Sequence, residues 1–240
     1  MPSHSNLERI GSLASDQWGL ITRRQAEQSG LSPATVARLS MTGGLLKRVT
    51  HGVYLVAGAP VPEDLALRAA WLQLAPEVPV WERTAKDGVV SHRSAASLYR
   101  VGDLSADRHE FTLPERRQTR RRDVRLHTRP LSKSEWIALR GLRVTRPARI
   151  ASDLLYDKED PEAVSRIVAD SLRGIFDYAG AFADSLAPHA ARFGLRRGDG
   201  NALLRWLLEL SDDPDVGKWL EEAERHDGET TGLLKAITAS

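Results

Sequence analysis

Between Leu20 and Val56, helix caps, glycines and apolar positions follow an order that leaves the chain few ways to fold. Thr22 is a good N-cap for a short helix from Arg23 to Ser29, and Gly30 stands where that helix must stop and a left-handed residue is cheap. Leu31 points inward. Ser32 caps a further helix with Pro33 at its first position, where a missing N–H costs nothing. This helix is expected to run to about Met41 and to end at Gly43-Gly44. Val36 and Leu39 share a face that packs on Leu31 and Ala26, leaving Ala34, Thr35, Arg38 and Met41 on the other.

The flanking segments complete the pattern. Asn6 to Ser15 forms a first helix, with Leu7, Ile10 and Leu13 on one side and Trp18, Leu20 and Ile21 as a short apolar connection after it. Leu45–Val49 and Val53–Val56, separated by Thr50-His51-Gly52, form a hairpin. Helix, glycine turn, helix and hairpin make a winged helix-turn-helix over residues 1–60. In such a module the second helix of the motif enters the major groove. Arg38 is then the candidate for a guanine edge, and Thr35 for a base or a thymine methyl. Ser32 sits where helix N–H groups suit a phosphate. Arg23, Arg24, Lys47, Arg48 and His51 are candidates for backbone phosphates, contacts that set affinity and register but not sequence preference. Helical trios with a hairpin also serve as protein-binding modules, and His51 equally suits a plain turn residue.

Charge is sorted along the chain. Residues 1–60 are mildly basic, residues 91–150 hold 15 Lys/Arg against 6 Asp/Glu, and residues 151–240 hold 10 against 18. The basic centre would attract phosphate or an acidic protein surface. Its densest part is Arg116, Arg117, Arg120, Arg121, Arg122 and Arg125, with Arg129 close behind, in and after a loop between two strand candidates. This segment reads as a second nucleic-acid patch beside the wing, a docking surface for an acidic partner protein or for that partner's nucleic-acid substrate, or a solvated loop.

Ala59-Pro60-Val61-Pro62 is a stiff break and the expected domain boundary. Beyond it, Glu63–Leu74 is expected as an amphipathic helix, Glu77–Gly88 as a loop, and Ser91 as the cap of a helix to about Tyr99. Glu110–Leu113, Val124–Thr128 and Leu142–Val144 are strand candidates. Ser132 caps a predicted helix to Leu139, and Thr145 caps one to about Tyr156. Pro161–Arg173, Tyr178–Phe193 and Asn201–Leu210 complete the helices, and the tail after about 211 is expected to be loosely docked or partly disordered. The fold class is α+β: an N-terminal winged helix-turn-helix over 1–60, then a mixed α/β domain over 61–240 with a small sheet and a helical C-terminal half.

Enzymatic motifs are sparse. Cysteine is absent, which excludes disulfides and thiolate chemistry and suits a reducing cytoplasm. The histidines lack ligand spacing, so no metal and no cofactor is expected. Ser91 and His92 are adjacent, but a nucleophile and base need a third group in space, and no G-x-S-x-G is present. No acid-x-Lys pair follows Glu110 on a later strand candidate, as a Mg²⁺-dependent nuclease would need. No catalytic residue is therefore assigned. No apolar stretch is long enough to span a bilayer, and the N-terminus has no signal-peptide pattern.

The run LITRRQAEQSGLSPATVARLSMTGGLLKRVTHGVYLV resembles the N-terminal winged helix of AbiEi-type antitoxins, from type IV toxin–antitoxin systems. The matching features are Ile21-Thr22-Arg23, the Gly30-Leu31 turn, Leu39, Gly44-Leu45 and Arg48-Val49 ahead of Gly52-Val53-Tyr54. Val89–Ala96 and Val144–Leu155 look like stretches of the same family's C-terminal domain, so the resemblance spans most of residues 5–210. It implies a bacterial antitoxin that binds inverted repeats in operator DNA, represses its own operon, and counters a nucleotidyltransferase-like toxin. The alternatives from other classes are a winged-helix-targeted Mg²⁺ nuclease and a ligand-responsive transcriptional regulator.

Overall fold

A computed structural model describes residues 4–226. The chain divides into two compact units. One comprises Met1–Val89, Phe111–Pro130 and Ala138–Arg143; the other comprises Val90–Glu110, Leu131–Ile137 and Val144–Ser240.

The first unit opens with α1 (His4–Ser15), β1 (Leu20–Thr22), α2 (Arg23–Gln28), α3 (Pro33–Leu39), β2 (Leu46–Thr50) and β3 (Val53–Val56). Thr22 caps α2 reciprocally: its hydroxyl accepts from the Gln25 N–H at 3.1 Å, and the Gln25 side chain accepts from the Thr22 N–H at 3.0 Å. The apolar connection expected at Leu20-Ile21 is a strand. Both residues are fully buried, and Ile21 lies opposite Tyr54 in an antiparallel sheet of order β1-β3-β2. Ile10, Ile21, Ala26, Leu31, Val36, Leu46 and Tyr54 form the core, with Leu13 and Leu39 packed against it. Helix α3 stops at Leu39, two residues short of the expected Met41.

The break at residues 59–62 does not end this unit. Helix α4 (Leu65–Leu74) packs Ala69 and Leu72 with Leu20, Val53 and Leu55 in a second apolar cluster. The amphipathic helix expected over Glu63–Leu74 starts at Leu65 and is buried on more than one stripe, since every residue from Leu67 to Leu72 is buried, Arg68 included. The expected loop over 77–88 holds two short 3₁₀ turns, Val80–Glu82 and Ala85–Asp87. Arg83 between them is fully buried.

A second sheet has the order β6-β5-β4-β8-β7. Its strands are β4 (Val89–Val90), β5 (His109–Leu113), β6 (Val124–Thr128), β7 (Trp136–Leu139) and β8 (Leu142–Thr145), with Val90 opposite Val144 in a parallel pair. Strand β7 replaces most of the helix expected over Ser132–Leu139. The Ser132 cap is real, but the helix it starts lasts one 3₁₀ turn, Lys133–Glu135. Trp136 and Ile137 favour extended backbone, and Arg140-Gly141, both at positive φ, turn the chain back into β8.

The second unit is helical: α5 (His92–Tyr99), α6 (Pro147–Tyr156), α7 (Pro161–Arg173), α8 (Ala179–Leu186) and α9 (Gly200–Leu210). Thr145 ends β8, so Arg146 and not Thr145 precedes the first turn of α6. The single helix expected over Tyr178–Phe193 is α8 followed by a 3₁₀ stretch, because Pro188 removes a donor from the ladder. Ile150, Ile167, Phe182, Leu203 and Leu207 are fully buried between these helices. Gly200 lets α9 approach α8: a Cβ there would lie 1.8 Å from the Ala183 carbonyl oxygen. A last helical stretch covers 216–226 and buries Trp219, Leu220 and Ala223, so this part of the tail is docked. The remainder, 227–240, lies outside the described residues. Among the described residues no helix is long and apolar enough to cross a membrane.

Candidate nucleic-acid interface

Helix α3 is held at both ends by local chemistry. The Ser32 hydroxyl accepts from the Thr35 N–H at 3.2 Å and lies 2.9 Å from the Thr35 hydroxyl. Ser32 is therefore engaged as a cap, and Thr35 is only partly exposed. Leu31, Val36 and Leu39 turn inward, which leaves Ala34, Ala37, Arg38 and Met41 outward, Met41 at 66% exposure. Gly44 sets the step from α3 to the hairpin, because a Cβ there would fall 2.2 Å from the Leu39 carbonyl oxygen.

In the wing, β2 pairs with β3 and the register slips between Arg48 and Thr50. Lys47 and Arg48 are both exposed, on the rim of a cavity of about 560 Å³ that Met41 and Ser40 also line. Arg38, Lys47 and Arg48 make no ion pair among the described residues. At the hairpin turn His51 is exposed, its carbonyl accepting from the Gln73 side chain. The Gly52 carbonyl accepts from the Arg23 N–H at 2.8 Å, tying the turn to the start of α2.

Arg23 and Arg24 are exposed but not bare. Glu27 meets Arg23 at 2.8 Å and raises the guanidinium pKa by that hydrogen bond, while Arg24 lies 3.8 Å from both Glu27 and Glu77. Exposed pairs of this kind contribute little stability and exchange readily for other partners.

One grouping was not legible along the chain. The loop between β5 and β6 returns to the winged helix, within the same unit. A cavity of about 870 Å³ is lined by Arg23, Arg24 and His51 on one side and by Arg117, Arg120 and Arg121 on the other. The Arg117 guanidinium donates to the Leu74 carbonyl, and Arg121 donates to the Gln73 side chain and to Asp123. Arg116, Arg120 and Arg122 are exposed, as is Arg125 on β6. Counted by chain segment, the first unit carries 18 Lys/Arg against 10 Asp/Glu, a net +8, and the rest of the chain carries 16 against 22, a net −6. The module that looked mildly basic over 1–60 is part of a strongly basic body.

Ser91 and His92 do meet in space. Ser91 Oγ lies 2.9 Å from His92 Nδ1, and His92 Nε2 lies 3.9 Å from an Asp157 carboxylate oxygen. Both are buried, Ser91 completely. A nucleophile has to reach its substrate, and this hydroxyl is packed where no solvent touches it. Strand β7, Trp136-Ile137-Ala138-Leu139, adds no acidic residue to the sheet.

Helix, turn, helix and wing with an exposed second helix define a winged helix-turn-helix of the kind found in transcriptional regulators. Residues 8–57 match the family described as transcriptional regulator, AbiEi antitoxin, a match confined to this module. The two later stretches of resemblance lie outside the matched residues. No curated protein matches the chain.

Proposed function

We propose that the protein is a DNA-binding antitoxin. It binds inverted repeats in its operator, represses its own operon in the cytoplasm, and counters a nucleotidyltransferase-like toxin. The supporting observation is the capped α3, whose outer face presents Arg38 beside a wing carrying Lys47 and Arg48, all within the family-matched residues. In this reading Arg38 contacts a base edge. Lys47, Arg48, Arg23, Arg24 and His51 contact phosphates, and Ser32 and Thr35 hold the end of α3 and approach the backbone. The second unit, with its negative balance, carries the antitoxin activity and stays off the DNA.

The test is a promoter reporter together with coexpression of the neighbouring gene product. Wild type is expected to repress the reporter and to restore growth. Arg38→Ala is expected to lose about 1–3 kcal/mol of discrimination between operator and unrelated DNA, while still restoring growth. Equal operator selectivity in Arg38→Ala and wild type would remove α3 from base recognition. No rescue by the wild-type chain would remove the antitoxin role.

A further inference from the structure

We infer that the loop joining β5 to β6 is a second phosphate-binding arm, which grips the DNA backbone beside the wing. The inference rests on the DNA-binding reading of the winged helix.

The loop is positioned, and the positioning leaves charges to spare. Gln73, near the end of α4, donates to the carbonyl of His51 at the wing tip and accepts from Arg121 in the loop. One side chain thus joins wing, α4 and loop. Arg117 adds a hydrogen bond to the Leu74 carbonyl, and the Arg121 N–H bonds the Thr119 hydroxyl at 3.1 Å. Arg117 and Arg121 are the holders. Arg116, Arg120 and Arg122 are exposed and make no ion pair among the described residues.

The cavity between loop and wing decides the partner. Five arginines and His51 line it against a single carboxylate, Glu27. A guanidinium matches a phosphate with two parallel hydrogen bonds, and a duplex offers one phosphate charge per roughly 1.7 Å of axis. DNA seated against the wing tip therefore passes the mouth of this cavity, with the loop on its far side. An acidic protein surface offers no such regular row of anions, and nothing would require it to sit at the wing.

The experiment measures binding of the full chain to a random-sequence duplex, and to a duplex selected by the wild-type protein, across about 50–200 mM salt. The variant is the triple Arg116→Ala, Arg120→Ala, Arg122→Ala, with the triple lysine replacement as its charge-conserving partner. Each lost phosphate contact lowers the slope of log K against log salt by about 0.9, so the alanine triple is expected to lose ~2–3 in slope. Affinity should fall alike on both duplexes, leaving their ratio unchanged, and the lysine triple should keep the slope. An alanine triple with wild-type slope and affinity overturns the arm. The same holds if it binds DNA normally but no longer restores growth in the coexpression assay, since the loop would then face a protein. Absence of wild-type binding to either duplex fails the DNA-binding reading itself, and the two failures are thereby distinguished.

Discussion

Arg83 is fully buried, yet its guanidinium is satisfied by backbone alone. It donates to the carbonyls of Val78 at 3.1 Å, of Leu72 and Ala75 at 2.6 Å, and of Trp71, whose ring it covers at 4.4 Å. Burial lowers its pKa to about 10, which still leaves it charged at neutral pH. The residue closes the C-terminal end of α4, where helix carbonyls lack intrahelical partners. Arg83→Met keeps the apolar stem but strands those carbonyls, so it should lower stability by about 2–4 kcal/mol in urea unfolding. A loss under ~0.5 kcal/mol would show that water replaces the guanidinium. Nothing in the local sequence marks Arg83, which stands in a polar stretch between Glu82 and Thr84. Thr22 and Ser32 are the opposite case. A cap acts on donors two or three residues away, so both were legible from spacing, and the structure seats each where that spacing puts it.

Among elements, the Ser132–Glu135 turn shows how a correct local signal can lead to the wrong element. Glu135 accepts from the Ser132 N–H at 2.6 Å, as a capping box requires, but it also reaches Arg149 of α6 at 2.6 Å. Arg149 in turn bonds Asp153 at 2.9 Å. The turn is thus spent on orienting α6, and the chain leaves it as a strand. Burial alone would raise the Glu135 pKa, but the Ser132 and Arg149 hydrogen bonds outweigh it and the group sits below its ordinary value of 4.5. A carboxyl lowered in the folded state stabilises above the unfolded value, and that stabilisation is lost as pH falls through the folded one. Below about pH 4.5, wild type should therefore lose stability more steeply than Glu135→Gln. Urea midpoints measured at descending pH check this, and parallel curves would remove Glu135 from the acid response.

For the whole molecule, the division into a unit of net +8 and a remainder of −6 cuts across the order of the chain. It also predicts that residues 1–60 are not self-sufficient. The outer face of β1 and β3 is covered by Ala69 and Leu72 of α4. A fragment of about 60 residues is marginal even with a complete core, and losing a buried leucine alone costs about 2–5 kcal/mol. The fragment 1–60 should therefore lack the cooperative thermal transition of the full chain when both are followed by circular dichroism. A cooperative melt at the full-length temperature would show that α4 is dispensable.

The sequence by itself determined the winged helix-turn-helix: its caps, its glycine stops and the apolar faces of its helices act within a few residues, so their consequences can be read in order. It also showed that the Arg116–Arg122 run was dense in charge, without saying what that charge faces. Only the tertiary structure decided that α4 closes the back of the winged helix and that the arginine loop returns to the wing tip. The loop's return rests on a contact across 48 residues, Gln73 with Arg121, and α4 packs on the distant Leu20 as well as on the nearer Val53 and Leu55. No local propensity encodes such a pairing; it follows from which apolar faces remain to be covered once the local elements have formed.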